Sequence, residues 1–165
     1  ILEKQRNFFN YKKNIFFYNF ALGSVLSAKK FFVTKRKDSS SFFKINETGN
    51  KSKYFQITNE KDVQIKSLDE VLINQKIIKP ILIKIDVQGY ELEVLKGSKN
   101  ILKEIEYVLI EVSDDEMYKG QPLSNEVIQF LQDRNFKILK ENPSITIDKS
   151  NFIQRDLLFQ NRQKL

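Results

Sequence analysis

The segment over residues 81–97 limits the possible folds of this chain more than any other. Residues 81–85 are mostly apolar, the run ends abruptly at Asp86, and Gly89 follows three residues later, before a segment with helical spacing. Near-continuous apolar runs are typical of strands that are covered on both faces. Ligands of open α/β sheets bind outside the carboxyl ends of such strands. The sequence therefore predicts a central, buried parallel strand that places the Asp86 carboxylate at the functional edge of a sheet.

Apolar patterns along the rest of the chain alternate between strands and helices. Strands are predicted over residues 14–22, 28–34, 54–58, 62–66, 81–86, 107–112, 136–139 and 157–159, with a loop over 35–53. Helices are predicted over residues 1–12, 67–75, 91–103 and 124–134; Gly97 interrupts the third, and Ser124 is the N-cap of the last. This alternation implies an α/β fold with a mostly parallel sheet. The last two strands have no helix between them, which implies an antiparallel finish.

Chain length and the missing residue types narrow the chemistry. A length of 165 residues predicts one domain over residues 1–165. The chain has no His and no Cys, which excludes a Ser-His-Asp triad, a thiolate nucleophile and disulfides. Proton transfer must therefore use Asp, Glu, Lys, Tyr or a bound metal. No apolar run approaches the roughly 20 residues that span a bilayer. The lack of cysteine is compatible with a cytoplasmic location.

The net charge of +7 is unevenly spread, because the positive excess lies in residues 1–66. A nucleic-acid-binding domain is one interpretation of such a basic half. A solvated, lysine-rich surface is the simpler interpretation, since charge runs alone are weak evidence and no nucleic-acid-binding motif accompanies them. We therefore expect no nucleic-acid partner.

Acidic residues end two neighbouring predicted strands. Asp86 follows the first strand, Glu111 lies near the end of the next, and Glu91 begins the helix between them. Carboxylates at one sheet edge suit either metal binding by hard oxygen ligands or base catalysis. Alternatively, Asp86 caps the turn that follows it and Glu111 pairs with a lysine. The residues by themselves leave these alternatives open, and the need for a metal stays unknown.

A sequence motif over residues 84–97 adds a resemblance to a known family. Residues 84–97, KIDVQGYELEVLKG, closely resemble the signature KIDVEG-x-E-x-x-V-L-x-G of the FkbM-type S-adenosylmethionine-dependent methyltransferases, with Gln88 where Glu is common. Weaker matches to other segments of the family occur in the same order along the chain, at residues 19–23, 39–41, 67–72, 108–112 and 156–159. The resemblance implies a Rossmann-like class I methyltransferase sheet, mostly parallel, with an antiparallel pair of C-terminal strands.

Part of the family pattern has no counterpart in the 165 residues. The glycine-rich cofactor loop, D-x-G-A-N-x-G, is absent, and so is the acidic residue that is expected to hold the ribose. The resemblance thus implies that the N-terminal strands of the sheet are missing. Two expectations follow: a piece of a longer methyltransferase, or a truncated, non-catalytic homologue that acts as a binding module.

The resemblance also implies a reaction and a set of site residues. The cofactor would be S-adenosylmethionine, and the acceptor would be a hydroxyl of a sugar or small molecule. Ala21 and Leu22 would lie near the adenine, although ordinary core packing explains them equally well. The backbone near Asp86 would approach the methionine part, and Asp86, Glu91 and Glu111 would face the acceptor. An aliphatic hydroxyl is a weak nucleophile, so Asp86 is the first candidate for the base in a chain without histidine.

Overall fold

The structure is a computed structural model that describes residues 15–46, 55–143, 145–146 and 152–164. Eight strands are described: β1 Ala21–Leu22, β2 Ser27–Thr34, β3 Ile57–Lys66, β4 Leu82–Ile85, β5 Tyr107–Ser113, β6 Phe136–Glu141, β7 Ile145–Thr146 and β8 Ile153–Asn161. Three α-helices are described: α1 Leu68–Leu72, α2 Glu91–Lys96 and α3 Ser124–Gln132. Short 3-10 turns lie at Lys37–Ser39, Ile101–Lys103 and Arg162–Lys164. None of the described helices is long and apolar enough to cross a membrane.

The larger sheet has the strand order β4-β5-β8-β6, with β7 also pairing with β8. β4 and β5 are parallel, as the sequence predicted, and α2 lies in the connection between them. The predicted antiparallel finish is also confirmed, because β6 and β8 pair antiparallel. Helical crossovers give parallel neighbours, whereas direct returns give antiparallel ones.

The smaller sheet has the order β1-β3-β2. β1 pairs with β3 in parallel, and β2 pairs with β3 antiparallel along most of its length. Two aromatic side chains hold the loop after β2 against the rest of the protein. Phe42 is buried in a cluster with Ile65 and Tyr90, and Phe43 packs against that cluster.

The principal hydrophobic core lies between the larger sheet and helices α2 and α3. α3 contributes Val127 and Leu131, which lie four residues apart and therefore on one face of the helix. β5 contributes Val108 and Ile110 from its inward face, and β8 contributes two further apolar side chains. The sheet and both helices thus share one core, which fixes the turn between β4 and α2.

Several predicted elements are corrected by the structure. The mostly parallel sheet is wrong: of the pairings between described strands, two are parallel and four are antiparallel. The central, buried position of β4 is also wrong, because β4 lies at the end of the described strand order and the Leu82 side chain is 58% exposed. An apolar run shows that a strand can be covered, but only its neighbours in space decide whether it is.

Element boundaries differ as well. The strand predicted over 14–22 is reduced to β1. The strands predicted over 54–58 and 62–66 are one continuous strand, β3. Residues 14 and 54 and the helix predicted over 1–12 lie outside the described residues. Ser67 is the N-cap of α1, and its side chain accepts the Glu70 N–H at 3.1 Å. Ser124 is the first residue of α3 and not its N-cap; the Glu126 carboxylate instead accepts the Leu123 N–H at 3.1 Å.

Two chain reversals, one at Gly23 after β1 and one at Gly97 after α2, meet at a point of very close backbone contact. A Cβ atom added to Gly97 would lie 1.9 Å from the Gly23 carbonyl oxygen. The Gly97 carbonyl also accepts the N–H of Asp69, which lies in α1. Only a residue without a side chain permits this approach. Gly97 therefore does more than end α2: it joins the part of the chain around the smaller sheet to the larger one.

We expect Gly97→Ala to destabilise the protein. Overpacking of this kind costs about 1–3 kcal/mol, and here the obstacle is backbone, which cannot rotate away. Urea denaturation followed by circular dichroism would measure the loss. Gly120→Asn is the control, because a Cβ at Gly120 meets nothing within 4 Å and Asn tolerates its positive φ of 79°. Equal stability of Gly97→Ala and the wild type would contradict the proposed close packing.

Candidate active site

The candidate site lies at the carboxyl ends of β4 and β5. Parallel pairing sets Ile85 opposite Ile110, so the next residues, Asp86 and Glu111, are neighbours. The Gln88 side-chain amide lies between them and donates to Asp86 Oδ1 at 3.1 Å and to Glu111 Oε2 at 3.0 Å. The two carboxylates that the sequence predicted to lie side by side therefore do so, with an amide group bridging them.

The turn between β4 and α2 has an unusual backbone. Gln88 has a φ of 54° and Gly89 a φ of 91°, both in the left-handed region. This conformation costs a residue other than glycine about 1–2 kcal/mol. Gly89 also has little free space, since an added Cβ would lie 3.2 Å from Gln121 and 3.3 Å from Tyr118. The glycine in the signature is thus required by the turn that aims residues 86–88 at the sheet edge.

Glu91 holds this turn together. Its buried carboxylate accepts the Val87 N–H at 3.2 Å and the Gly89 N–H at 3.0 Å. Burial raises the pKa of the Glu91 carboxyl, and the hydrogen bonds from the backbone oppose that rise. Glu91 does not line the cleft at Asp86 and Glu111. Its observed contacts are those of a residue that orders the backbone of the site.

The serine-rich segment over residues 39–41 packs against the turn between β4 and α2. Ser41 Oγ donates to the Gln88 carbonyl oxygen at 2.6 Å. The buried Tyr118 hydroxyl lies 2.9 Å from the Ser39 carbonyl oxygen and 3.0 Å from Gln88 Oε1. Sequence reasoning missed Tyr118, because no motif contains it. The run of three serines over 39–41 was the sequence feature that could have indicated Ser41 as a site residue. For Gln88, that feature was its difference from the Glu of the family signature.

An open cleft of about 260 Å³ exposes the carboxylate pair. Its lining residues come from the loop after β2, the turn after β4, and strands β5 and β8: Arg36, Asp38, Ser39, Asp86, Gln88, Glu111, Gln154, Arg155 and Asp156. The cations are held by acids: Arg36 pairs with Asp38 at 2.9 Å, and Arg155 with Asp114 and Glu141. Asp86 pairs with Lys84 at 3.1 Å but keeps 40% of its side chain exposed. Asp86 is thus the more exposed member of the pair.

Glu111 has the perturbed electrostatics expected of a functional carboxyl. Burial raises its pKa to about 7, and the negative charges of Asp86, Glu91 and Asp156 add to the rise. The hydrogen bond from Gln88 opposes it, because the amide stabilises the ionised form. A carboxyl with such a pKa exchanges its proton readily near neutral pH, which is the property required of a general base.

The other predicted site residues lie elsewhere. Ala21 lines a second cleft, of about 170 Å³, whose walls include the rings of Tyr18, Phe20, Phe31 and Phe42. That cleft shares no lining residue with the carboxylate cleft. Leu22 packs against the principal core. Within the described ranges, no group of three or more Asp or Glu side chains is arranged to hold a metal ion.

Comparisons with known proteins agree with the motif. Residues 1–138 match the Methyltransferase FkbM domain. A curated relative, the hexuronic acid methyltransferase AglP of Haloferax volcanii, is 30% identical over 92 residues, which cover 50% of this chain and 38% of the relative. The chain therefore spans well under two thirds of that relative's length. No solved structure matches the chain significantly.

The raised pKa of Glu111 gives a testable pH dependence. The folded protein holds this proton up to about pH 7, whereas the unfolded chain loses it near the ordinary value of about 4.3. The stability that Glu111 contributes is therefore complete below the unfolded pKa and is lost as the pH rises through about 7. We expect Glu111→Gln to flatten this decline and to be more stable than the wild type at pH 8.

Urea denaturation at several values between pH 5 and 8 would measure the effect. Glu70→Gln removes an exposed carboxylate from α1, outside the cleft, and should keep the wild-type slope. An unchanged slope in Glu111→Gln would show that Glu111 ionises normally.

Proposed function

Because the chain belongs to the FkbM methyltransferase domain family, we propose that it takes part in S-adenosylmethionine-dependent methylation of a hydroxyl on a sugar or small molecule. The observation that carries this proposal is the pairing of Asp86 with Glu111 at the open end of β4 and β5. Ligands of α/β sheets bind at such edges, and the chain has no histidine to provide another base.

We propose that the carboxylate pair prepares the acceptor hydroxyl. When bound, S-adenosylmethionine supplies an activated methyl group, so the protein must mainly orient the acceptor and take its proton. Asp86 is the exposed member and meets the acceptor. Glu111 lies behind it with a pKa of about 7 and shares the negative charge. Two carboxylates can also accept hydrogen bonds from neighbouring hydroxyls of one acceptor, which suits a polyol.

We propose that the second cleft contacts the adenine of the cofactor. Its aromatic rings suit a planar base, and Ala21 is among the lining residues, which supports the proposed place of Ala21 near the adenine. No acidic side chain lines this cleft, so among the described residues it offers no carboxylate for ribose hydroxyls. The chemistry of the lining therefore supports contact with the base only. Leu22 supports β1 from the core side.

The acceptor class is proposed from two observations. The name of the relative from Haloferax volcanii specifies a hexuronic acid, which is a sugar. The cleft of this chain is lined by polar side chains, whose oxygen and amide groups suit hydroxyls. A sugar is accordingly the proposed acceptor.

The architecture and location belong to the same proposal. Parallel β4 and β5, followed by antiparallel β8 and β6, agree with one half of a Rossmann-like methyltransferase sheet. A second half would add strands to the edge of β4 that has no partner among the described strands, where Leu82 is exposed. A cytoplasmic location is compatible with the lack of cysteine.

The decisive variant is Asp86→Asn in the protein as its gene encodes it. Asn keeps the shape and one oxygen but loses the charge, and loss of a general base typically costs about 10²–10⁴-fold in rate. We expect that loss in a single-turnover assay of radiolabelled methyl transfer, with an unchanged circular dichroism spectrum. Asp62→Asn, at an exposed position on β3, is the control.

Near-wild-type turnover of Asp86→Asn would reduce Asp86 to a residue that caps its turn, since Asn is an equally good cap. The role of Asp86 as the base would then be wrong.

Titration calorimetry tests the cofactor requirement of the 165 residues by themselves. The glycine-rich loop and the ribose-binding acid are absent from them, so we expect weak binding of S-adenosylmethionine. S-adenosylhomocysteine, which lacks the methyl group and the positive charge, is the matched ligand. A dissociation constant in the micromolar range would show that these residues suffice for cofactor binding and would contradict the expectation.

A further inference from the structure

We propose that Gln88 is a positioning residue whose side-chain amide clamps the carboxylates of Asp86 and Glu111 together as one functional pair. The consequence for catalysis rests on the proposed function, but the clamp itself is a statement about structure. Gln88 is not expected to touch the reacting atoms. It acts through the two acids that flank it.

The hydrogen-bond geometry supports the clamp. Gln88 Nε2 lies 3.1 Å from Asp86 Oδ1 and 3.0 Å from Glu111 Oε2, so a single NH₂ group uses both of its hydrogens on two acids. Gln88 Oε1 lies 3.0 Å from the Tyr118 hydroxyl, whose single proton is shared with the Ser39 carbonyl oxygen at 2.9 Å. The hydroxyl on one side and the two acids on the other together orient the amide, with Nε2 toward the carboxylates. Every polar atom of the side chain has a partner.

The backbone of Gln88 is held in place from both sides. Ser41 Oγ donates to its carbonyl oxygen at 2.6 Å, and Glu91 binds the N–H groups of the residues before and after it. These contacts maintain the positive φ of 54°, which a glutamine rarely adopts. Strained backbone maintained by several contacts is characteristic of functional sites. Here its effect is to direct a long amide side chain across the gap between two strands.

The chemistry of the amide explains why glutamine suits this position. Two neighbouring carboxylates repel each other, and a neutral group with two donors offsets that repulsion without adding charge. A glutamate of the same shape would place a third carboxyl among them. An apolar side chain would leave both acids without this donor. Glutamine therefore supplies a donor to each acid and adds no charge.

Other charged groups lie around the pair and are present in every titration. They are Lys84 on β4, Glu91 on α2, Asp156 and Arg155 on β8, and Arg36 and Asp38 on the loop after β2. All of them stay unchanged when Gln88 alone is substituted.

The test is the titration of the Glu111 carboxyl, followed by carbon-13 NMR of the glutamate-labelled chain and assigned with Glu111→Gln. Wild-type Glu111 should titrate at about 7. Gln88→Met removes the donor at similar volume, and we expect the midpoint to rise by about one pH unit, since hydrogen bonds to charged groups contribute on this scale. Gln154→Met is the matched control: Gln154 lines the same cleft but donates to Ser113, and its loss should leave the midpoint unchanged.

Two further variants keep the test decisive if Gln88→Met does not fold. Gln88→Asn suits the positive φ and keeps an amide, but it is one carbon too short to span the gap, so the midpoint should rise as well. Tyr118→Phe removes the donor that orients the amide and should cause a smaller rise. The clamp is overturned if the midpoint stays at the wild-type value in Gln88→Asn, or if Gln154→Met shifts it as much.

This titration does not depend on methyl transfer. A shift in the Gln88 variants, together with full activity of Asp86→Asn, would leave the clamp in place and overturn the proposed reaction. Loss of activity in Asp86→Asn with no shift in the Gln88 variants would do the reverse.

Discussion

The parallel pairing of β4 with β5 is the interaction on which the candidate site depends. It sets Ile85 opposite Ile110, and every placement beyond the strand ends follows from that register. A slip of one residue would turn Asp86 and Glu111 to opposite faces of the sheet, because side chains alternate along a strand. The register is held by inward-facing apolar residues, including Val108 and Ile110, which pack against α2 and α3. The hydrophobic core thus determines the electrostatics of the site.

The site itself depends on a strained turn that polar contacts hold. Glu91 binds the backbone from within the protein, and Ser41 binds it from the loop after β2. A buried carboxylate is costly unless it is hydrogen-bonded, so Glu91 contributes only in combination with the N–H groups of Val87 and Gly89. The spacing of Asp86, Gly89 and Glu91 in the signature has a physical meaning. Asp86 presents a carboxylate at the sheet edge, Gly89 permits the turn, and Glu91 accepts the hydrogen bonds that hold the turn.

The two sheets are connected through this same region. The loop after β2 reaches the turn through Ser39 and Ser41, and Tyr118 joins it from the segment after β5. On the other side of α2, Gly97 lies against the Gly23 turn that follows β1. Segments far apart in sequence therefore converge on the short stretch from β4 to α2. Its conformation cannot change without disturbing both sheets.

The sequence by itself determined the parallel strand pair, the start of a helix at Glu91 and the antiparallel pairing of the last strands. These follow from local patterns of apolar, acidic and glycine residues. It also placed Asp86 beside Glu111, because register follows from strand ends. The helix predicted over 91–103 is shorter, because α2 ends at Lys96 and a separate 3-10 turn covers Ile101–Lys103. The sequence did not determine the place of β4 at the end of the described strand order, the single long β3, or the contacts of Glu91 with the backbone. Nor did it reveal the contacts of Gln88 with Tyr118 and the two acids. These features depend on which strands and side chains are in contact in the folded protein. Burial, hydrogen-bond partners and raised pKa values arise only from such tertiary contacts.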